Sequence, residues 1–266
     1  MKRFFIYLFI AMTLISCNSK KERSLVLYYS QTGNTEAVAM QIQSLTNADI
    51  EAIDIEDPYD GTYAETIARV QKERTEDVLP SLKTLKSMIE DYDIIYLGYP
   101  VWFGTFAPPI IQLLKEHNFA GKKIVPFCTF GSGGLEATVN ELRALLPQTT
   151  VADGYGVRAA RTKAIPAEVE RFLKENKYIA GNVEPWGEYS ADELVTEVEA
   201  KIFDDACGDY QFPLGTPISF GKRTTGFGTD YRFNVKSVAP DGSESHSVIY
   251  VIVKEGAKPE FTRVVR

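Results

Sequence analysis

The stretch Leu25-Val26-Leu27-Tyr28-Tyr29-Ser30-Gln31-Thr32-Gly33-Asn34-Thr35 carries the reading that decides the fold. Its first five residues form an apolar, β-prone run. The next six are small, hydroxylated or amide-bearing, which is turn chemistry. Beyond them Val38, Ile42 and Leu45 recur at helical spacing. Strand, polar turn and helix in that order open a βα unit.

The unit repeats. Residues 49–55 alternate apolar and polar, as a half-exposed edge strand does. Helical segments are expected at 62–74 and 81–91, before the buried strand Ile94-Ile95-Tyr96-Leu97-Gly98. Helix at 109–117, strand at 123–129, helix at 135–146, strand at 150–157 and helix at 167–176 complete the series. Five strands alternating with helices predict an α/β fold with a parallel sheet covered on both faces, because each crossover must pack back onto the sheet. Ligands of such sheets bind at the carboxyl ends of the strands, beside the switch in strand order. That rule nominates the loops after Tyr29, Gly98 and Thr129.

In the first loop, Ser30, Thr32, Gly33, Asn34 and Thr35 would offer a phosphate several backbone N–H groups, three hydroxyls and the positive end of a helix dipole. The alternative is a helix cap at Ser30 or Thr32 with no ligand. A nucleotidase P-loop is disfavoured, since Gly33 is followed by Asn-Thr rather than by lysine. The second loop reads Tyr99-Pro100-Val101-Trp102-Phe103-Gly104-Thr105-Phe106-Ala107-Pro108-Pro109. An indole at this edge suits stacking on a planar ring; the alternative is packing on the protein's own core or on a partner. The third, Thr129-Phe130-Gly131-Ser132-Gly133-Gly134, has three glycines in four positions, as a backbone held close to something flat requires, though ordinary turns also use glycine.

Together these loops resemble those of the flavodoxin family. Ser30-Gln31-Thr32-Gly33-Asn34-Thr35 matches its S/T-x-T-G-x-T phosphate loop, with Gln31 contributing mainly backbone. The resemblance implies that these residues hold the ribityl phosphate of FMN. It implies further that the Pro-x-Trp loop places Trp102 against the isoalloxazine, with Pro100, Val101, Phe103 and Gly104 around the N5 edge. Thr129, Phe130, Gly131, Gly133 and Gly134 would then serve the pyrimidine end, Phe130 covering the other ring face. Asp57-Pro58-Tyr59 and the helix up to Pro80 resemble a bacterial subgroup. The likeness covers about 24–177 and implies a flavodoxin-like five-stranded sheet.

Composition bounds the rest. A net charge of -7 argues against a nucleic-acid partner, which needs a basic face. Cysteines at 17, 128 and 207 form no disulfide framework, and two histidines without CxxC or HExxH leave no basis for a metal site. Cys128 reads as a small buried hydrophobe. At the start, Lys2-Arg3, an apolar run and Leu14-Ile15-Ser16-Cys17 resemble a bacterial lipobox. The expectation is a signal peptide over 1–16, acylation of Cys17, a tether over 17–23 and a membrane anchor outside the cytoplasm. The sheet domain is expected over 24–178, a linker over 179–190, and a small α+β domain over 191–266, with a helix at 191–204 and strands at 231–238, 247–254 and 261–265.

Two functions follow. One is an electron carrier or FMN-dependent reductase at the envelope, acting on a redox partner protein or a small-molecule acceptor. The other is a cofactor-free binding or structural lipoprotein that keeps the fold, with the C-terminal domain as its partner-binding module.

Overall fold

The computed structural model describes residues 22–208 and 210–266, so the lipobox-like segment and Cys17 lie outside the described residues. The chain begins with β1 (Ser24–Tyr28), α1 (Asn34–Thr46), β2 (Asp49–Ala52) and α2 (Tyr63–Glu76). Next come β3 (Ile94–Trp102), β4 (Thr105–Phe106), α3 (Pro108–Glu116), β5 (Lys123–Phe130) and α4 (Leu135–Leu145). The strands β6 (Thr150–Val151) and β7 (Tyr155–Arg158), then α5 (Ile165–Glu175), complete the first half.

Its sheet has the order β2-β1-β3-β5, with β6 and β7 in tandem beyond β5, and apart from β4 all pairings are parallel. The chain adds β2 on one side of β1 and then crosses to add β3 on the other, so the switch in strand order falls between β1 and β3. Alternation along β1 divides the core. Leu25, Leu27 and Tyr29 face Val70, Ile110, Leu113 and Leu142 of α2, α3 and α4. Val26 and Tyr28 face Val38 and Ile42 of α1 and Val169 and Leu173 of α5. With helices on both faces, the inner strands β1, β3 and β5 bury both sides over most of their length, which explains their near-continuous apolar runs, while the edge strand β2 stays partly exposed.

Two expectations in this half are corrected. The strand expected over 150–157 is two strands, because Ala152, Asp153 and Gly154 stand opposite only Val125 and Pro126 of β5. Pro126 has no N–H to give a ladder. The helix expected over 81–91 does not form. Glu56 N and Lys83 N instead donate to Ser81 and Asp54 carbonyls, and Lys86 N and Ser87 N donate to the Glu51 carboxylate at 2.6 and 2.8 Å. With its donors spent on the β2 edge, this segment keeps one 3-10 turn, Ile89–Asp91.

The C-terminal part holds β8 (Glu193–Leu194), α6 (Glu197–Cys207), β9 (Thr216–Thr225), β10 (Gly228–Val238), β11 (Glu244–Val253) and β12 (Glu260–Val265). These strands form a second, antiparallel sheet in the order β12-β11-β10-β9-β8. Phe203 and Cys207 of α6 cover one face over Phe233, Val235, Ile249 and Phe261. The helix begins at Glu197, not at Ala191, because Thr196 caps it by accepting from Val198 N. β9 was not expected from sequence: Pro217, Gly221, Lys222 and Arg223 interrupt its alternation. The stretch 179–190 packs in place, with Trp186 between the guanidinium groups of Arg171 and Arg223 and Tyr189 donating to Asp230.

Candidate functional site

Three loops leave the carboxyl ends of β1, β3 and β5, and three contacts bring them together. Thr35 Oγ1 and Thr129 Oγ1, both buried, share a hydrogen bond of 2.8 Å between the first loop and the third. The second loop meets the third where Val101 Cγ1 comes within 2.7 Å of the place a β-carbon on Gly134 would occupy. The indole of Trp102 meets Tyr29, at the end of β1, edge-on at 6.0 Å and 88°. The edge nominated by strand order and the loops nominated by sequence are therefore one place.

In the first loop, Gly33 is the cap residue of α1 with φ +82°, and no side chain caps the helix. Capping by Ser30 or Thr32 is thus not what this turn does. Ala37 N donates to Gly33 O, closing the first helical turn. Asn34 Nδ2 donates to Thr32 Oγ1 at 3.2 Å. The Gln31 side chain turns away, donating to Tyr59 O and Thr66 Oγ1, so that Gln31 meets the loop centre through backbone alone. Ser30 Oγ is buried without a hydrogen-bond partner. Three other buried side-chain atoms share that condition: Arg171 Nε, Trp186 Nε1 and Arg232 Nε. Those three belong to the stack of arginines and rings around Trp186 and Tyr189. Among the described residues, Ser30 is the orphan at the carboxyl edge of the parallel sheet.

The second loop is a hairpin. β3 runs on through Pro100, Val101 and Trp102, pairs with β4, and turns at Phe103 and Gly104, both at positive φ (+53° and +83°). Two such residues make a tight turn whose twist suits a two-stranded ribbon. Trp102 also meets Tyr59 edge-on at 5.3 Å. The sequence alone assigns Tyr59 no role. Its hydroxyl donates to Glu73 at 2.6 Å, Arg69 lies over its ring at 4.3 Å, and burial together with the Glu73 carboxylate pushes its pKa far up. Phe103 projects at the hairpin tip beneath Arg74.

In the third loop, Phe130 belongs to the core; a β-carbon on Gly156 would stand 2.8 Å from its Cε1. The expectation that its ring covers a ligand is corrected, and Phe130 can serve the site through backbone only. Gly133 has a different neighbour from the one expected, since a β-carbon there would lie 2.2 Å from Val264 O of β12. Around Gly131 that space is open. A cavity of about 330 Å³ lies beside the first loop, lined by Tyr29, Ser30, Gln31, Asp54, Tyr59 and Lys83 among others. Among the described residues no group of side chains could hold a metal ion, and no helix is long and apolar enough to cross a membrane.

No curated protein matches the chain. Of solved structures, a chain from Bacteroides eggerthii DSM 20697 described as a candidate flavoprotein is 26% identical, with 56% of this chain and 97% of that one covered and a TM-score of 0.49. A flavoprotein from Lactobacillus acidophilus NCFM, solved in complex with FMN, is 23% identical over 55% of this chain and 98% of its own, with a TM-score of 0.46. The flavodoxin family profile matches residues 23–172, more than half of the sequence. The chain belongs to the flavodoxin family.

Proposed function

We propose that the three loops bind FMN and that the protein moves electrons at the bacterial cell envelope, held there by acylated Cys17. The observation that carries the cofactor reading is Ser30 Oγ, a buried hydroxyl with no partner at the β1/β3 switch point. A hydroxyl left so costs on the order of 1–3 kcal/mol, and a phosphate oxygen would satisfy it. The uncapped start of α1 lies in the same turn, where its N–H groups and dipole favour an anion. The residues present therefore fit FMN. Bound there, the flavin would supply the electron transfer, so no protein acid, base or nucleophile is needed.

The chain's own part is to hold and shield. Ser30, Thr32 and the first N–H groups of α1 would take the phosphate, and Thr35, tied to Thr129, sets the spacing between two loops. Tyr29 and Tyr59 hold the indole of Trp102 beside the site. Acceptors of two kinds suit such a protein, a redox partner protein or a small molecule.

Reconstitution tests the reading. Purified chain lacking its first 16 residues should be yellow and release FMN rather than FAD. A protein still colourless after incubation with saturating FMN overturns the proposal in favour of a cofactor-free lipoprotein. The anchor is tested separately: Cys17→Ala should abolish membrane retention, and unchanged retention removes it.

A further inference from the structure

A contact between the two sheets that the flavin reading does not absorb lies on the third loop. β12 is an edge strand of the C-terminal sheet, and its Val264 N donates to Ser132 O at 2.7 Å. Arg158, the last residue of β7, bridges the same junction. Its Nε donates to Gly131 O at 2.7 Å and its Nη1 to Phe261 O of β12 at 3.1 Å, while the guanidinium lies 4.1 Å over the Phe261 ring. Two ion pairs flank the contact, Arg161 with Glu260 at 3.0 Å and Arg263 with Glu136 at 3.1 Å.

Peptide geometry gives this clasp a consequence. No cis peptide occurs among the described residues, and across a trans peptide the carbonyl and the next N–H point in opposite directions. The Gly131 carbonyl is held by Arg158 and the Ser132 carbonyl by β12. The N–H groups of Ser132 and Gly133 therefore face the other way, and among the described residues neither donates to a protein acceptor. Gly133 is pressed so closely on Val264 O that no side chain fits between them, so the loop has little room to turn its peptides over.

We infer that the C-terminal domain is part of the cofactor site: β12 and Arg158 hold the third loop so that the Ser132 and Gly133 N–H groups are presented to the ring of the flavin. This rests on the FMN reading above and deepens it. Arg158 and Val264 are positioning residues, since they touch the loop and not the ligand. The domain thus preorganises donors that a free glycine-rich loop would have to order on binding.

Two variants of the full chain without its signal test the inference. Val264→Pro deletes the N–H given to Ser132 while keeping an edge strand, where proline is tolerated. Arg158→Met removes both donors and keeps the apolar stem. One neutral hydrogen bond is worth about 0.5–1.5 kcal/mol net, so Val264→Pro should bind FMN roughly 2- to 13-fold more weakly, and Arg158→Met, which loses two charge-assisted bonds, at least as much. Riboflavin, which has the ring without the phosphate, should lose affinity by the same factor, and the absorption of the bound flavin should shift. A defect seen with FMN but not with riboflavin overturns the inference, as do unchanged affinity and spectrum in both variants. Absence of binding by the unmutated chain overturns the FMN reading instead. Should neither variant fold, amide exchange in the unmutated protein decides: Ser132 and Gly133 must slow on addition of FMN while Val264 stays equally protected, and unchanged exchange at the two loop amides refutes the proposal.

Discussion

Replacing Ser30 by alanine should act with opposite sign on stability and on ligand binding. In the flavin-free protein the Ser30 hydroxyl is buried with no hydrogen-bond partner. Removing it relieves a desolvation penalty of about 1–3 kcal/mol and leaves a methyl group in nearly the same volume. For a chain of this size each kcal/mol moves the midpoint by about 2–4 °C, so the Ser30→Ala apoprotein should melt several degrees higher. The same change deletes a hydrogen bond to a charged phosphate, worth about 1.5–3 kcal/mol, which weakens FMN binding by roughly 10- to 150-fold. Riboflavin, having no phosphate, should bind the variant and the parent alike. Thermal melts of the apoprotein and quenching of flavin fluorescence on titration read the two effects independently. An apoprotein that becomes less stable, together with unaltered FMN affinity, refutes the reasoning: the hydroxyl would then be serving the fold.

Other outcomes follow from the same geometry. Trp102→Ala should weaken FMN binding by about 2- to 12-fold, the worth of a ring contact beyond its area, whereas Trp102→Phe should recover much of it in the same fluorescence titration. Burial pushes the Cys128 thiol well up and the Cys207 thiol up to about 12. A chain beginning at Glu22 should accordingly show no reactive thiol with a disulfide reagent at pH 8, and two once unfolded in guanidinium. Burial opposes the charge on Glu260, but the hydrogen bond and charge of Arg161 outweigh it and hold the carboxyl below its usual value of 4.5. Its contribution is therefore complete above pH 4.5 and lost as the pH falls through the lowered value. Urea midpoints measured from pH 6 to pH 3 should drop less steeply for Glu260→Gln than for the parent, and identical slopes would dismiss the pair.

Where sequence and structure agree, the reason is local. Val38, Ile42 and Leu45 sit on one face of α1 because helical periodicity and burial demand the same spacing. α2 begins where Thr62 and Glu65 satisfy each other's backbone, a cap written in four residues. Disagreements arise where distant groups take over the backbone. Leu82 and Leu85 have a spacing a helix can use, yet the Glu51 carboxylate and the Asp54 carbonyl claim the neighbouring N–H groups and draw the chain along the sheet edge. β9 escapes notice because half its residues lie on a polar face. There Asn234 reaches Ser219, and Arg223 reaches Asp230. Such partners are visible only after the meander has formed.

The glycines of the third loop show how one mark in the sequence can have more than one physical cause. Three glycines in four positions announce that a backbone must come close to something, and a flat ligand is the natural candidate at the end of a parallel strand. The structure divides them by neighbour: Gly131 faces open space, Gly134 faces Val101 of the Trp102 hairpin, and Gly133 faces the main chain of β12. A ligand therefore explains at most part of the motif, and a strand far along the chain explains another part. No composition rule distinguishes these cases, because both leave the same mark, the absence of a side chain. What separates them is the carbonyl direction: Gly131 O and Ser132 O turn toward Arg158 and Val264. Their partner N–H groups are thereby left for the other side. A loop pinned on one face by its own protein is the kind of loop that can present fixed donors on the opposite face, so the domain contact and the ligand reading support each other rather than compete.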